Sequence, residues 1–190
     1  MLQFSTPRLH IRLLMAADAA AIVDYRSDEH VARYVPWATP YALQKAHDLI
    51  ARNTGRDFDT AGESGLIMAV ELRATGEFIG DAMIEHVGGD ARQGLIGYAL
   101  ARPFHNQGFG TELTKGLIAR FFASPGAHRV TAWCDARNAA SIRVLEKAGM
   151  RQEAELVQGV FCKGEWVNER LYAVLKSEWL PTSACLTRES

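Results

Sequence analysis

A short segment near the middle of the chain limits the possible folds more than any other feature. An apolar strand pattern at Ile96–Leu100 is broken by Pro103, and a turn containing Gly108 and Gly110 then runs directly into an amphipathic helix. Glycines allow a backbone to turn tightly and to approach a ligand closely. The first N–H groups of a helix lack partners within the helix and carry partial positive charge. The segment therefore predicts a strand–turn–helix unit that holds an anion such as a pyrophosphate, or else a plain connection in which the glycines serve only geometry.

Two common phosphate-binding motifs are absent from the sequence. The chain contains no GxxxxGK[ST], and its glycine turn lacks the full GxGxxG pattern with an acidic residue after the next strand. Neither a P-loop ATPase nor a nicotinamide-dependent enzyme is therefore favoured.

Length and charge exclude several broad classes of protein. The 190 residues suit one domain, and 21 basic against 22 acidic residues argue against a protein that coats nucleic acid or an anionic membrane. No apolar run approaches the ~20 residues of a membrane span, and the opening segment alternates in a way that a signal peptide does not. Three cysteines that are far apart predict reduced thiols, with neither a disulfide framework nor a metal site. We expect a cytoplasmic protein.

The order of the predicted elements indicates the fold class. Alternating patterns predict strands over residues 9–13, 66–72, 78–84, 95–100, 129–133, 152–162 and 167–175. Four-residue spacing and capping signals predict helices over residues 18–25, 41–52, 109–123 and 138–148, with a loop over 54–64. This order predicts a single α/β (α+β) domain over residues 1–180, with a mixed sheet between helices, followed by a disordered tail over 181–190.

Six motifs, in the right order, resemble the GNAT superfamily of N-acetyltransferases, and most closely the branch of the bacterial ribosomal-protein N-terminal acetyltransferases. They are TPRLHIRLL at Thr6–Leu14, IGYAL at Ile96–Leu100, HNQGFG at 105–110, Thr111-Glu112, NAASIRVLEKAGM at Asn138–Met150, and the pattern from Gly164 to Trp179. The resemblance implies a largely antiparallel sheet in which two central strands splay apart. It also implies acetyl-CoA as co-substrate, with no metal.

The resemblance assigns a set of residues to acetyl-CoA. Backbone amides of the turn would hold the pyrophosphate, the strand before it would pair with the pantetheine arm, and the later helix would contribute side chains. The residues that match are Tyr98, Leu100, Asn106, Gln107, Gly108, Phe109, Gly110, Thr111, Asn138 and Ser141. Asn138 is also a good N-cap for its own helix, and both roles can hold at once.

The catalytic acid of many family members is missing. Where those members carry a tyrosine, this chain has Leu145, and Ser141 lies one turn earlier on the same helix face. By resemblance, Ser141 donates a hydrogen bond to the CoA sulfur. The alternative is that Ser141 only serves the backbone of the first helical turn.

The general base is left open by the sequence. Leu95 stands where many relatives have an acidic residue, and Asn168, with Glu169 beside it, stands where the branch often has an aspartate. Glu85 and His86 end a strand, and since side chains alternate, one of them is expected to face the cleft as a candidate base. A reaction without a dedicated base, in which water relays the proton, is the remaining alternative.

We therefore expect an N-acetyltransferase that transfers an acetyl group to a primary amine. The acceptor is either a protein N-terminus or a small-molecule amine, and we expect neither nucleic acid nor membrane as a partner. The chain would act as a monomer or a homodimer. Two alternatives are a non-catalytic sensor of acyl-CoA and an interaction protein that does not bind CoA.

Overall fold

The computed structural model describes residues 3–56 and 65–179, and its central feature is an eight-stranded sheet. The strands are β1 (Phe4–Ser5), β2 (Leu9–Leu13), β3 (Leu66–Leu72), β4 (Phe78–His86), β5 (Gln93–Leu100), β6 (Arg129–Asp135), β7 (Arg151–Cys162) and β8 (Glu165–Leu175). The helices are α1 (Ala19–Ser27), α2 (Glu29–Ala32), α3 (Leu43–Asn53), α4 (Phe109–Phe122) and α5 (Ala139–Lys147). The predicted tail over 181–190 and most of the predicted loop over 54–64 lie outside the described residues.

The sheet contains one parallel pair among antiparallel neighbours. Its strand order is β1-β2-β3-β4-β5-β6-β8-β7, and only β5 and β6 run parallel. Their pairing covers three residue pairs, from Gln93 with Arg129 to Leu95 with Thr131, and then stops. Because both strands continue beyond that point, they splay apart. The predicted mixed sheet with splayed central strands is confirmed.

Helices cover both faces of the sheet because two sets of apolar side chains need burial. On one face, α4 places Leu113, Leu117 and Phe121 four residues apart against the strands, as its apolar period predicts. On the other face, Ile22 of α1 and Ala46 of α3 pack in a second core. β5 contributes to both cores, with Ile96 in the first and Ala99 in the second.

A buried polar network anchors α1 and the following loop to β4. The Arg26 guanidinium and the Tyr25 hydroxyl both donate to the Asp81 carboxylate. Arg26 also lies 4.2 Å from the ring centre of Trp37 and donates to the Tyr41 hydroxyl at 3.1 Å. Trp37 and Tyr41 therefore contribute to this packing through their contacts with Arg26.

Two local details differ from the sequence prediction. Asp18 precedes α1, but its side chain makes no cap bond to that helix. It accepts from the Met15 backbone N–H at 2.7 Å and from two nitrogens of Arg12, each at 2.8 Å. The short helix α2 was not predicted; Asp28 caps it by accepting from the His30 backbone N–H at 2.7 Å. In each case a side-chain contact, rather than apolar periodicity, decides the local structure.

Replacing Asp81 with asparagine (Asp81→Asn) is expected to lower the free energy of unfolding by about 3–5 kcal/mol, because the buried Arg26 would lose its counter-charge. Chemical denaturation of both proteins measures the difference. Asp90→Asn is the matched control, since Asp90 pairs with the exposed Arg92 and should change the unfolding midpoint little. Equal shifts for the two variants would contradict a structural role for the buried pair.

Candidate functional site

The splay between β5 and β6 opens into a cleft of about 600 Å³. Its walls are the end of β5, the start of α4, one side of α5, and the segment from His30 to Val35. Eight of the ten residues that the sequence assigned to acetyl-CoA line this cleft: Tyr98, Leu100, Asn106, Gly108, Gly110, Thr111, Asn138 and Ser141.

The turn before α4 presents backbone N–H groups at one end of the cleft. Gly108 precedes the helix with a φ of +82°, a conformation that side chains other than hydrogen disfavour. The first helical bond runs from the Glu112 N–H to the Gly108 carbonyl at 3.1 Å, so the preceding N–H groups point beyond the helix end. A Cβ on Gly110 would lie 3.3 Å from Val144, so glycine lets the turn pack closely on α5.

Gln107 and Phe109, the other two assigned residues, do not line the cleft with their side chains. The Gln107 side-chain amide donates to the Pro103 carbonyl at 2.7 Å. Phe109 is buried against Phe104, with the Arg8 guanidinium 4.3 Å from its ring centre. Both side chains thus shape the turn, and a contact of their backbone groups with the co-substrate stays a prediction.

Glu112 ties the turn to the N-terminal strands. Its carboxylate accepts from the Thr6 hydroxyl at 2.6 Å and from the Arg8 backbone N–H at 2.8 Å and Nε at 2.6 Å. Arg8 Nη1 also donates to the Gln107 carbonyl at 3.0 Å. Burial alone would raise the pKa of Glu112, but these hydrogen bonds outweigh it and hold the pKa below its ordinary value.

The charges along the cleft are positive. Arg33, Arg137, Arg143 and Lys147 line it, and among the described lining residues there is no aspartate or glutamate. The Arg137 guanidinium is held by Asp135, because its Nη2 donates to the Asp135 carboxylate at 2.7 Å. Together with the N-terminus of α4, these cations suit a ligand that carries phosphate groups.

Two hydroxyl groups meet inside the cleft. The Tyr98 hydroxyl of β5 lies 3.5 Å from Ser141 Oγ of α5. The Asn138 side chain accepts from the Ser141 N–H at 3.1 Å, which confirms its role as the N-cap of α5. Burial raises the pKa of Tyr98 to about 12, so the phenol stays protonated at neutral pH and remains a hydrogen-bond donor.

The sequence family agrees with this geometry. The family model described as an acetyltransferase (GNAT) domain matches residues 8–151. The chain belongs to the GNAT acetyltransferase family.

Relatives extend the GNAT likeness over most of the chain. It is 28% identical over 178 residues to the N-acetyltransferase YnaD of Bacillus subtilis, covering 94% of this chain and 99% of that protein. A GNAT acetyltransferase structure from Bacillus anthracis matches with a TM-score of 0.82 and 25% identity, over 93% of this chain and 99% of that one. RimJ of Mycobacterium smegmatis, solved with CoA-disulfide, matches with a TM-score of 0.79 and 26% identity, over 96% and 90%.

Glu85 and His86, the candidate bases of this GNAT chain, are not brought into the cleft. They pair with Leu95 and Gly94, at the end where β5 and β6 still touch, whereas Tyr98 pairs with Ala82 farther along. His86 is buried with its ring 6.0 Å from that of Phe121. A Cβ on Gly65 would lie 3.3 Å from Glu85 Oε2, so that carboxylate lies beside the start of β3. The antiparallel direction of β4 carries its last residues away from the opening.

The alternatives in the last hairpin also lie outside the cleft lining. The Asn168 side chain accepts from the Gln158 backbone N–H at 2.8 Å, which occupies it in the β7–β8 hairpin. Glu169 pairs with Asp135 across β8 and β6, and burial together with that like charge raises the pKa of Glu169. Leu95 lies in the last residue pair before the strands separate.

Two histidines in the GNAT cleft were missed by sequence reasoning. His105 Nε2 lies 2.8 Å from the Leu100 carbonyl oxygen, and the His30 ring of α2 lies 5.8 Å from the His105 ring, centre to centre. Both line the cleft. The sequence could have indicated His105, because it stands directly before Asn106 in the turn. Nothing in the sequence pointed to His30, because it comes from a distant segment.

Within residues 3–56 and 65–179, no three histidine, cysteine, aspartate or glutamate side chains converge as metal ligands. Over the same part of the chain, no helix has the length and apolar character needed to cross a membrane.

Glu112→Gln tests the link between the turn and the N-terminal strands. Because hydrogen bonds hold the pKa of Glu112 below 4.5, the carboxylate stabilises the fold above that pH and loses this contribution as the pH falls. The wild type should therefore unfold at higher denaturant than Glu112→Gln at pH 7, and the gap should shrink below pH 4.5. Glu77→Gln, in an exposed turn, is the control and should show no gap at any pH; a gap for Glu112→Gln that is independent of pH would refute the assignment.

Proposed function

We propose that this chain transfers the acetyl group of acetyl-CoA to a primary amine by direct attack on the thioester. The observation that carries this proposal is the opening between β5 and β6, which lies beside the N-terminus of α4 in one continuous cleft. Its family membership supports acyl transfer from acetyl-CoA as the chemistry. Neither a sensor without turnover nor an interaction protein gains support from any of these observations.

The cleft offers matching groups for each part of acetyl-CoA. The pyrophosphate would lie at the turn from Asn106 to Thr111, where backbone N–H groups point outward. The pantetheine arm would run along β5 from Tyr98 to Leu100, because the edge of β5 that faces β6 is no longer paired there. Arg143 and other cations of the cleft would balance the phosphate charges.

Hydroxyl groups of the cleft would stabilise the leaving group. The nitrogen lone pair of a neutral amine attacks the thioester carbon, a C–N bond forms, and the C–S bond breaks to release the CoA thiolate. Ser141 and Tyr98 would donate hydrogen bonds toward that sulfur, where negative charge develops. This pair would take over the task of the tyrosine whose aligned position is Leu145.

The proposed class of acceptor is supported by the name of a relative. YnaD, named above, is described as an N-acetyltransferase, and the acceptor proposed here is likewise an amine nitrogen, that of a primary amine. We propose either a protein N-terminus or a small-molecule amine. A panel of an alanine-terminated peptide, a serine-terminated peptide and spermidine, with thiol release as the readout, separates the two.

Gly108→Ala tests the acetyl-CoA site. A φ of +82° costs a side chain roughly 1–2 kcal/mol, so the turn should relax and the affinity for acetyl-CoA should fall about tenfold in calorimetric titration. Gly126→Ala is the matched control. Gly126 follows the C-terminal end of α4, has a φ of +77°, and has open space where a Cβ would lie. It should lose similar stability and keep its affinity. Equal affinities for the two variants, or no binding by the wild type, would contradict the proposed site.

Ser141→Ala and Tyr98→Phe test the leaving-group role. Each should lower kcat for thiol release by at least about tenfold while the Kd of acetyl-CoA changes less than about twofold, because the lost hydrogen bond matters most when the sulfur becomes charged. Ser177→Ala, at an exposed position, should change neither value. Full activity in both cleft variants would rule the hydroxyl pair out.

A further inference from the structure

Contacts along α5 give the order in which the parts of the cleft follow one another. The hydroxyl groups of Ser141 and Tyr98 lie 3.5 Å apart. Three residues later, about 4.5 Å along the helix axis, Val144 lies 3.3 Å from the Cβ position of Gly110 in the turn before α4. Arg137 lies on the other side of Ser141, just before the helix begins. Acetyl-CoA, bound with its phosphates at the turn and its sulfur at the hydroxyl pair, therefore leaves the Arg137 end of the cleft to the acceptor.

The two walls of the cleft are joined at this end by the turn between β7 and β8. Lys163 Nζ donates to the carbonyl oxygen of Ala32, the last residue of α2, at 2.6 Å. Two residues after Lys163, the Glu165 carboxylate accepts from Arg137 Nη1 at 2.9 Å. Ala32 is followed directly by Arg33, which lines the cleft. The Arg137 end is therefore a bounded space with Arg33 at its edge.

Arg33 brings to this space a positive charge that no paired carboxylate balances. Arg137 bonds to the carboxylates of Asp135 and Glu165 at 2.7 and 2.9 Å. In the described part of the chain, the Arg33 guanidinium makes no hydrogen bond or ion pair, and it lies 5.2 Å from the ring centre of Tyr34. Arg33 is nevertheless within electrostatic range of Asp135: burial raises the pKa of Asp135, but bonds from Arg137 and the charges of both arginines outweigh this and keep it below its ordinary value.

This end of the cleft suits an anionic group better than a cationic one. Among the described residues that line the cleft there is no aspartate or glutamate, whereas arginines and a lysine are present. A guanidinium presents its N–H groups as a planar fork that matches the two oxygens of a carboxylate. A polyamine would instead place further ammonium groups near Arg33, with no counter-charge in the lining.

We propose that the acceptor is an amine that also carries a carboxylate, and that Arg33 binds this carboxylate. This inference rests on the proposed function and names its substrate class. Two sources share the chemistry: a free amino acid, and a peptide with an acidic residue next to its N-terminus. The acetyl group passes from the CoA sulfur to the amine nitrogen, one amine proton reaches the CoA thiolate by way of solvent, and the carboxylate is unchanged.

Matched acceptors that differ by one charge test the proposal. The peptide pair is alanyl-glutamyl-glycine amide against alanyl-glutaminyl-glycine amide, and the small-molecule pair is γ-aminobutyrate against γ-aminobutyramide. In at least one pair, the acid should have a kcat/KM for thiol release about tenfold or more above that of its amide. The difference should come mainly from a lower KM, because the amide cannot form the hydrogen-bonded ion pair. The pair that shows it identifies the source.

Variants of three arginines locate the carboxylate. Arg33→Gln should remove the preference by raising the KM of the acid about tenfold, while kcat and the Kd of acetyl-CoA change less than about twofold. Arg33→Lys, which keeps the charge and loses the fork, should restore part of it. Arg143→Gln, beside Val144 on α5, should weaken acetyl-CoA binding and keep the preference. Arg52→Gln, at an exposed position of α3 outside the cleft lining, should change neither value.

Several results would overturn the inference. They are equal kcat/KM values within both pairs, a preference for spermidine over both acids, and no turnover of either acid by a protein that binds acetyl-CoA. A preference that survives Arg33→Gln would also overturn it, most directly if the Kd of acetyl-CoA rises about tenfold in that variant, because Arg33 would then bind the co-substrate. Failure of the wild type to bind acetyl-CoA would instead contradict the proposed function, so the two failures are distinguishable.

Discussion

The early end of pairing between β5 and β6 is the constraint on which the site depends. Three residue pairs join the strands, and beyond Leu95 their facing edges separate while each stays held by its other neighbour. A sheet that stayed closed would leave no route between its strands, and the N-terminus of α4 would face only the surface. Two apolar cores on opposite faces pack against β5 beside the opening.

Local signals made much of this predictable from the sequence. Alternation gave the strands, and Asn138 and Gly108 marked the starts of α5 and α4, because capping and positive φ depend on residues within one turn. The same glycine turn, with the motif resemblance, identified eight of the ten assigned residues that line the cleft. Such residues are predictable because the turn, not the tertiary fold, brings them together.

Contacts between distant segments escaped prediction. Because β4 runs antiparallel to β5, His86 lies at the end where β5 and β6 are still paired. An alternation pattern does not show the direction of a strand. The meeting of Tyr98 with Ser141 joins residues 43 positions apart. His105 went unnoticed since its hydrogen bond to Leu100 depends on how the loop folds back on the strand. Periodicity tells which face a residue occupies; it does not tell which other element lies opposite.

The bonds of Glu112 to Thr6 and Arg8 span more than 100 positions of the chain, which has a consequence for the order of assembly. During synthesis the N-terminal segment leaves the ribosome first, and its partner for these bonds follows over 100 residues later. Closing so long a loop carries an entropic cost that local turns avoid. The turn before α4 therefore gains its final support late in folding, and a nascent chain released before α4 contains neither the helix nor its N-terminal charge.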